Sequence, residues 1–120
     1  MKLVDLDHGE KIFGSRDAAV SLLHKFINHL PEDLKAIHKD QQEQNYKAMY
    51  EKIHSLKGAC CYASTPKLLL AVEKINKYIL SLKLNNSIAP EAKAKIDKLC
   101  EQLTNTASST IEHVQTNYTN

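Results

Sequence analysis

The sequence predicts an all-α protein, an antiparallel up-down-up-down four-helix bundle with a short extra helix at its N-terminal end. Composition is the first observation, because 120 residues include only three glycines and three prolines, too few turns for an antiparallel sheet. The second is that four segments place apolar residues three and four positions apart. Short polar stretches separate these segments, which favours antiparallel neighbours. We expect residues 1–120 to form a single domain with a polar tail that frays from about residue 115.

Capping residues predict the bounds of the first two helices. Asp7 and Glu10 have the spacing of a capping box for a short helix that ends near Gly14. Ser15 is the candidate N-cap of a long second helix. Pro31 falls inside that helix and is expected to kink it or split it in two, because proline lacks the amide hydrogen. The apolar stripe of this helix consists of Val20, Leu23, Ile27, Leu30, Leu34 and Ile37.

Similar signals predict the later helices. Asp40 and Glu43 have the spacing of a second capping box, so we expect the third helix to run from about Asp40 to Tyr62. Thr65 and Pro66 are typical of an N-cap and a first-turn proline, which begin the fourth helix. The apolar stripes of the last three helices are Tyr46, Met49, Ile53, Leu56 and Cys60; Leu68, Val72, Ile75, Ile79 and Leu82; and Ala92, Ile96, Leu99, Leu103, Ala107, Ile111 and Val114.

Composition and charge argue against several classes of function. The formal net charge is +2 and the lysines are scattered without interleaved aromatic residues, so we expect no nucleic-acid binding. No apolar run reaches the length of a membrane span, and the N-terminus lacks the apolar core of a signal peptide. We therefore expect a cytoplasmic protein without membrane contact. The three cysteines form no disulfide framework and no metal-binding spacing, so we expect neither a metal nor a cofactor of the chain's own.

The third helix carries the candidate site, in the run H-S-L-K-G. At about 100° per residue, His54 lies roughly 120° from the centre of the apolar stripe and should face solvent. Lys57 and Gly58, at i+3 and i+4, share its surface. An exposed imidazole is mostly neutral and nucleophilic near pH 7, an ammonium offsets negative charge, and glycine leaves room for a large partner. These properties suit transfer of a phosphoryl group.

The alternative is an ordinary solvated helix face, because a surface histidine near a lysine is common and the chain has six histidines. Spacing alone favours this alternative. The in-helix glycine argues against it, since glycine costs about 1 kcal/mol relative to alanine in a helix interior.

The run H-S-L-K-G resembles the H-x-L-K-G signature of histidine-containing phosphotransfer (HPt) domains. The resemblance extends over nearly the whole chain, including V-D-L-D-H-G, L-L-H-K-F-I-N-H-L-P-E-D-L and L-L-L-A-V-E-K-I. The run G-A-C-C-Y-A-S-T-P-K-L resembles more specifically the C-terminal HPt domains of BarA/GacS/LetS-type hybrid sensor kinases. Ser64 departs from this pattern, because the family often has a glycine there. The family fold is a four-helix bundle with a short N-terminal helix, which agrees with the stripes.

The resemblance implies a role in a phosphorelay. His54 corresponds to the phosphorylated histidine, Lys57 to the residue that stabilises the phosphoryl group, and Gly58 to the small residue that gives a partner access. The phosphoryl group would come from an aspartate of a hybrid kinase's receiver domain and pass to a response-regulator aspartate, with Mg²⁺ held by the receiver. The chain has no ATP-binding glycine-rich loop, so no independent kinase activity is expected. The family also occurs as the cytosolic C-terminal domain of membrane sensor kinases.

We expect the partner-docking surface around His54 to include Tyr50, Ala59 and Cys61. Phe26 falls outside the main stripe of its helix and could belong to this surface or to the core, which we favour. A non-catalytic helical adaptor that docks receiver domains without transfer is the alternative function. His54 argues against it, because adaptors of that kind typically lack the histidine.

Overall fold

Five α-helices form the part of the chain that the computed structural model describes, residues 1–118. They are α1 (Leu6–Phe13), α2 (Arg16–Gln42), α3 (Tyr46–Ala63), α4 (Pro66–Ser81) and α5 (Pro90–Asn117). Each helix packs against its neighbour in sequence, and α5 packs back against α2 to close the bundle. Gln41 near the end of α2 bonds Asp97 near the start of α5, while His38 bonds Thr104, so these helices run antiparallel. The predicted all-α bundle with a short N-terminal helix is confirmed.

The predicted apolar stripes form the core of the bundle. All five stripe residues of α3 are buried, and so are most of those on the other helices. Val20, Leu82, Leu99 and Ile111 are only partly buried at the edges of the stripes. Each large aliphatic side chain removed from water contributes about 1.5–3 kcal/mol to folding, so the stripes fix which face of each helix points outward.

The first helix begins earlier than predicted. Asp5 is the N-cap of α1, and its carboxylate accepts a hydrogen bond from a backbone N–H of the first turn. The predicted capping box of Asp7 and Glu10 is therefore wrong, although Asp7 still lies in the first turn, where a carboxylate favours the helix dipole. Gly14 ends α1 in the left-handed conformation and Ser15 caps α2, so these two predictions are confirmed.

Asp40 does not cap the third helix. It lies inside α2, where its buried carboxylate forms a salt bridge with the Lys52 ammonium of α3. The predicted capping box of Asp40 and Glu43 is therefore wrong, and so is the predicted start of the third helix. An unpaired buried charge is costly. The salt bridge with Lys52 therefore favours a buried position of Asp40 inside α2 over a position at the end of the helix.

The true start of α3 is capped from two parts of the chain. The N-cap is Asn45, whose side chain accepts a hydrogen bond from the N–H of Ala48. The side-chain oxygen of Asn86, in the loop before α5, accepts from the N–H groups of Tyr46 at 2.8 Å and Lys47 at 3.2 Å. This cap from a distant loop fixes the end of the helix that carries His54.

Pro31 does not split the second helix, because α2 continues through it without a break. A proline in a helix interior costs about 3 kcal/mol. Ile27 and Leu30 before it and Leu34 and Ile37 after it are all buried, and their packing outweighs that cost. Of the two expected outcomes, the split is therefore wrong, and a kink at Pro31 within one helix stays a prediction.

The last two helices begin as predicted. Thr65 is the N-cap of α4 with Pro66 in the first turn, and Pro90 opens α5. The predicted tail from about residue 115 is still helical as far as Asn117, and its last two residues lie outside the described part of the chain. In residues 1–118, no helix combines the length and apolar character needed to cross a bilayer.

Candidate functional site

The packing of α3 sets the direction of His54. This residue lies at mid-length of the helix and its side chain is exposed. Ile53 and Leu56, which flank it in sequence, are buried in the core. Because these neighbours fix the rotation of α3 about its axis, His54 must point away from the core, as the helix phase predicted.

Tyr50 lies one turn before His54 and supports the imidazole ring. The two ring centroids are 5.8 Å apart and the ring planes are inclined by 23°, an offset stack. Tyr50 is itself half-buried and packs against the core, so it is a fixed platform. The predicted docking residue Tyr50 is therefore in direct contact with the candidate nucleophile.

Lys57 and Gly58 lie one turn after His54 on the same surface. Lys57 is half-buried, and in the described part of the chain its ammonium forms no salt bridge. Gly58 is exposed, and a Cβ added to it would meet no neighbouring atom of the described residues within 4 Å. No packing contact requires glycine at this position, although alanine would favour the helix by about 1 kcal/mol. The glycine keeps space open beside the imidazole at a cost in stability.

An apolar groove of about 410 Å³ opens between α1, α2 and α3, beside the helix that carries His54. Tyr62 is 61% exposed and Phe13 is 37% exposed, although both are large aromatic residues. The groove is lined by Phe13, Leu22, Lys25, Phe26, His29, Asp33, Ala59, Tyr62 and Ala63. Exposed apolar surface of this kind is typical of protein interaction sites. Neither aromatic residue could be placed here from the sequence, because the groove forms only when three helices meet.

Comparison with known proteins decides the family. The Hpt domain family model matches residues 21–106, a span that includes His54, Lys57 and Gly58. The chain belongs to the Hpt family. Its fold is similar to the crystal structure of the HPT domain from a sensor hybrid histidine kinase of Shewanella, with a TM-score of 0.70 and 19% identity over 98% of this chain and 97% of that one. No curated protein is significantly similar to the chain.

In this Hpt domain the other two predicted docking residues lie on two different sides of α3. Ala59 is half-buried and lines the apolar groove on the α2 side. Cys61 is exposed and lines a separate small cavity with Leu69 of α4. Phe26 is buried, as we favoured, and its side chain also forms part of the groove wall. Tyr50, Ala59 and Cys61 therefore do not form one continuous patch.

All three cysteines of the Hpt domain are free thiols with different surroundings. Burial raises the pKa of Cys60 to about 12 and that of Cys100 to about 11. The Cys100 thiol donates a hydrogen bond to Oε1 of Gln41 at 3.0 Å. The two buried thiols are therefore unreactive packing groups, and Cys61 alone is open to solvent. In residues 1–118, no three His, Cys, Asp or Glu side chains are close enough to hold a metal ion.

Asn76 of α4 is a candidate site residue that the sequence analysis did not predict. It is 5% exposed, and its Oδ1 atom has no hydrogen-bond partner among residues 1–118. Helices α3 and α4 turn back at residues 64–65, so Asn76 and His54 lie at nearly the same level, within about 2 Å along the bundle. Tyr78 faces α5, since it lies beneath the Lys95 ammonium at 4.6 Å. Two residues earlier, Asn76 lies on the side of α4 opposite to Tyr78 and is buried in the bundle.

Proposed function

We propose that this Hpt domain is a phosphorelay intermediate, in which His54 accepts a phosphoryl group from a receiver-domain aspartate and passes it to a response-regulator aspartate. Family membership supports phosphotransfer in two-component signalling. The observation that carries the proposal is the exposed imidazole of His54 beside Gly58, a helical glycine that no packing contact requires. A solvated helix face without function would have no reason to keep that glycine.

Transfer begins when neutral Nε2 of His54 attacks the phosphorus of the aspartyl phosphate in line with the bond that breaks. An N–P bond forms, the acyl O–P bond breaks, and the aspartate leaves as a carboxylate. The second receiver reverses these steps with its own carboxylate as nucleophile. Such transfers depend mainly on positioning and charge neutralisation. Lys57, which has no salt-bridge partner among residues 1–118, would neutralise a phosphoryl oxygen, and the receiver would supply Mg²⁺.

Asn76 is proposed to hold the imidazole in the reactive tautomer. A buried carbonyl oxygen without a partner costs about 1–3 kcal/mol, so its presence needs a reason. An oxygen that accepts a hydrogen bond from the Nδ1–H group of His54 would leave the lone pair on Nε2, where attack occurs. The same hydrogen bond would stabilise the positive ring that forms on phosphorylation. In the present structure His54 stacks on Tyr50 instead.

The apolar groove is the proposed docking surface for an apolar helical face of the receiver domain. Tyr62 connects it to the surface of Gly58 and His54, because Gly58 lies one turn after His54 and one turn before Tyr62 on the same face of α3. Exposed Phe13 and Tyr62 supply the apolar area, and large aromatic side chains contribute strongly to protein interfaces. A receiver that covers the groove would also cover His54 and exclude water from the reacting phosphoryl group.

The run from Gly58 to Leu68 supports a finer assignment, to the HPt domain of a BarA/GacS/LetS-type hybrid sensor kinase. In that setting the donor would be the receiver domain of the same kinase, and the acceptor would be a separate response regulator. Transfer would take place on the cytosolic side of the membrane.

The test is transfer from purified receiver domains that have been loaded with acetyl phosphate in the presence of Mg²⁺. The chain should acquire an acid-labile, alkali-stable label, as phosphohistidine does. His54→Gln should remain folded, because the exposed side chain contributes little to stability, and should acquire no label. His113→Gln, on α5, is the matched control and should label normally. Label on a histidine of His54→Gln would refute the assignment. Receiver binding without any label on the wild-type chain would instead establish the non-catalytic adaptor.

A further inference from the structure

The N-terminal segment is fastened to the turn between α3 and α4. The backbone N–H of Asp5 donates to the carbonyl oxygen of Ser64 at 2.8 Å, and the N–H of Lys67 donates to the carbonyl oxygen of Lys2 at 3.2 Å. Nδ1 of His8 and Oγ of Ser64 form a hydrogen bond of 3.1 Å. The short connection to α2 holds the C-terminal end of α1, and these contacts hold its N-terminal end.

Ser64 occupies a position that favours glycine. It ends α3 with φ 62° and ψ 49°, the left-handed conformation, and is buried. A serine there is strained where a glycine is not. Its side chain, however, forms the hydrogen bond to His8 that glycine could not form. The hydroxyl group gives a reason for the departure from the glycine that the family often has.

Gly9 allows α1 to approach this turn closely. A Cβ at Gly9 would lie 2.9 Å from Cβ of Ala19 and 3.0 Å from Oγ of Ser64. Both distances are too short for ordinary contact, so a side chain at this position would push α1 away from α2 and from the turn. We call His8, Gly9 and Ser64 together the latch.

The latch holds α1, which forms part of the proposed docking surface, against the end of α3. Phe13, at the C-terminal end of α1, is one wall of the apolar groove, and Tyr62 and Ala63 of α3 are another. Ala63 directly precedes Ser64, so the latch joins α1 to the same end of α3 that borders the groove. Movement of α1 would therefore move Phe13 relative to Tyr62.

We propose that the latch positions α1 for receiver docking, so that Phe13 completes the apolar groove. His8, Gly9 and Ser64 are positioning residues, since none of them contacts the reacting atoms. The effect on docking rests on the proposed function, but the attachment of α1 by the latch does not.

Amide hydrogen exchange tests the latch without any receiver. Ser64→Gly should remain folded, because it removes a strained conformation, but exchange in residues 6–13 should become at least tenfold faster. Exchange in α4 and α5 should not change. His8→Ala should have the same effect, and the double variant should exchange no faster than either single variant. Ser87→Gly, in the exposed loop before α5, is the matched control and should leave α1 unchanged.

Phosphotransfer kinetics test the positioning role. Ser64→Gly should raise KM for the phosphorylated receiver about threefold to tenfold with kcat unchanged, because His54 and Lys57 are not altered. Phe13→Ala should raise KM similarly, and adding Ser64→Gly to it should have no further effect. Unchanged exchange in α1 would overturn the latch, and faster exchange with an unchanged KM would overturn its role in docking. Lack of transfer by the wild-type chain would refute the proposed function instead, and exchange in α1 would still decide the latch.

Discussion

Replacement of Gly58 by alanine should make this Hpt domain more stable and less active. Gly58 lies in the interior of α3, and a Cβ there meets nothing within 4 Å, so the methyl group causes no clash in the free domain. Alanine is favoured over glycine in a helix interior by about 0.8–1 kcal/mol. Because no contact is lost, nearly all of this should appear in the free energy of unfolding. For a domain of 120 residues the melting temperature should rise by about 3–6 °C.

The same methyl group should hinder a receiver that approaches His54. An extra methyl group in a closely packed contact costs about 1–3 kcal/mol, which corresponds to a decrease of about 5- to 150-fold in kcat/KM for transfer. Gly58→Leu should reduce transfer further while the domain remains folded. Thermal melts and rapid-mixing transfer from a phosphorylated receiver measure the two effects separately.

Ser109→Ala on α5 is the matched control for helix stabilisation away from the site. Ser109 is exposed in a helix interior, so this change should add up to about 0.5 kcal/mol of stability and leave transfer unchanged. A Gly58→Ala variant that is stabilised and still transfers at the wild-type rate would refute the role of the glycine in access. A destabilised variant would show that the space beside Gly58 is not free.

Four further predictions concern charge and burial. Lys57→Ala should lower kcat for transfer about 10- to 100-fold with little change in melting temperature; a wild-type rate would remove Lys57 from the site. Cys61 should react rapidly with a thiol reagent in the native state while Cys60 reacts only on unfolding. Because burial raises the pKa of Cys60 from 9.0 to about 12, its contribution to stability should be complete below pH 9 and be lost between pH 9 and 12, and Cys60→Ala should reduce that alkaline loss. Lys52→Ala leaves the buried Asp40 carboxylate unpaired and should cost about 1–3 kcal/mol in urea unfolding, less than a fully buried pair because the lysine side chain is 44% exposed. Recovery of stability in the Asp40→Ala/Lys52→Ala double variant checks that prediction, and no loss in the single variant would contradict it.

The helices, and the face that each of them turns toward the core, could be predicted because the residues of an apolar stripe are the ones that become buried. Tyr46, Met49 and Ile53 follow one another at helical spacing, and all three are buried. His54 could then be assigned to the solvent side by its angle from that stripe alone. The residues of the H-S-L-K-G run lie within about one turn of a single helix, so their proximity needed no knowledge of tertiary structure.

The ends of α3 and the docking surface could not be predicted in the same way. Asp40 has the local pattern of a cap, but a lysine on the next helix decides that it lies inside α2 instead. Asn86 caps α3 from a loop about 40 residues away, and no local pattern indicates this. Phe13 and Tyr62 are on different helices, and only packing brings them to one groove. Each of these features depends on which segments meet in space.

The exposure of one imidazole on one helix face restricts the order of events in a relay. If His54 is the phosphorylated residue, as proposed, a donor receiver and an acceptor receiver would each have to bring an aspartate into line with the same ring nitrogen, so both would occupy the same volume. A ternary complex would therefore be sterically excluded, and turnover would follow a ping-pong scheme in which the first receiver leaves before the second arrives. Both complexes must then be short-lived. An excess of unphosphorylated acceptor would act as a competitive inhibitor of loading, so very tight binding of either partner would slow the flow of signal.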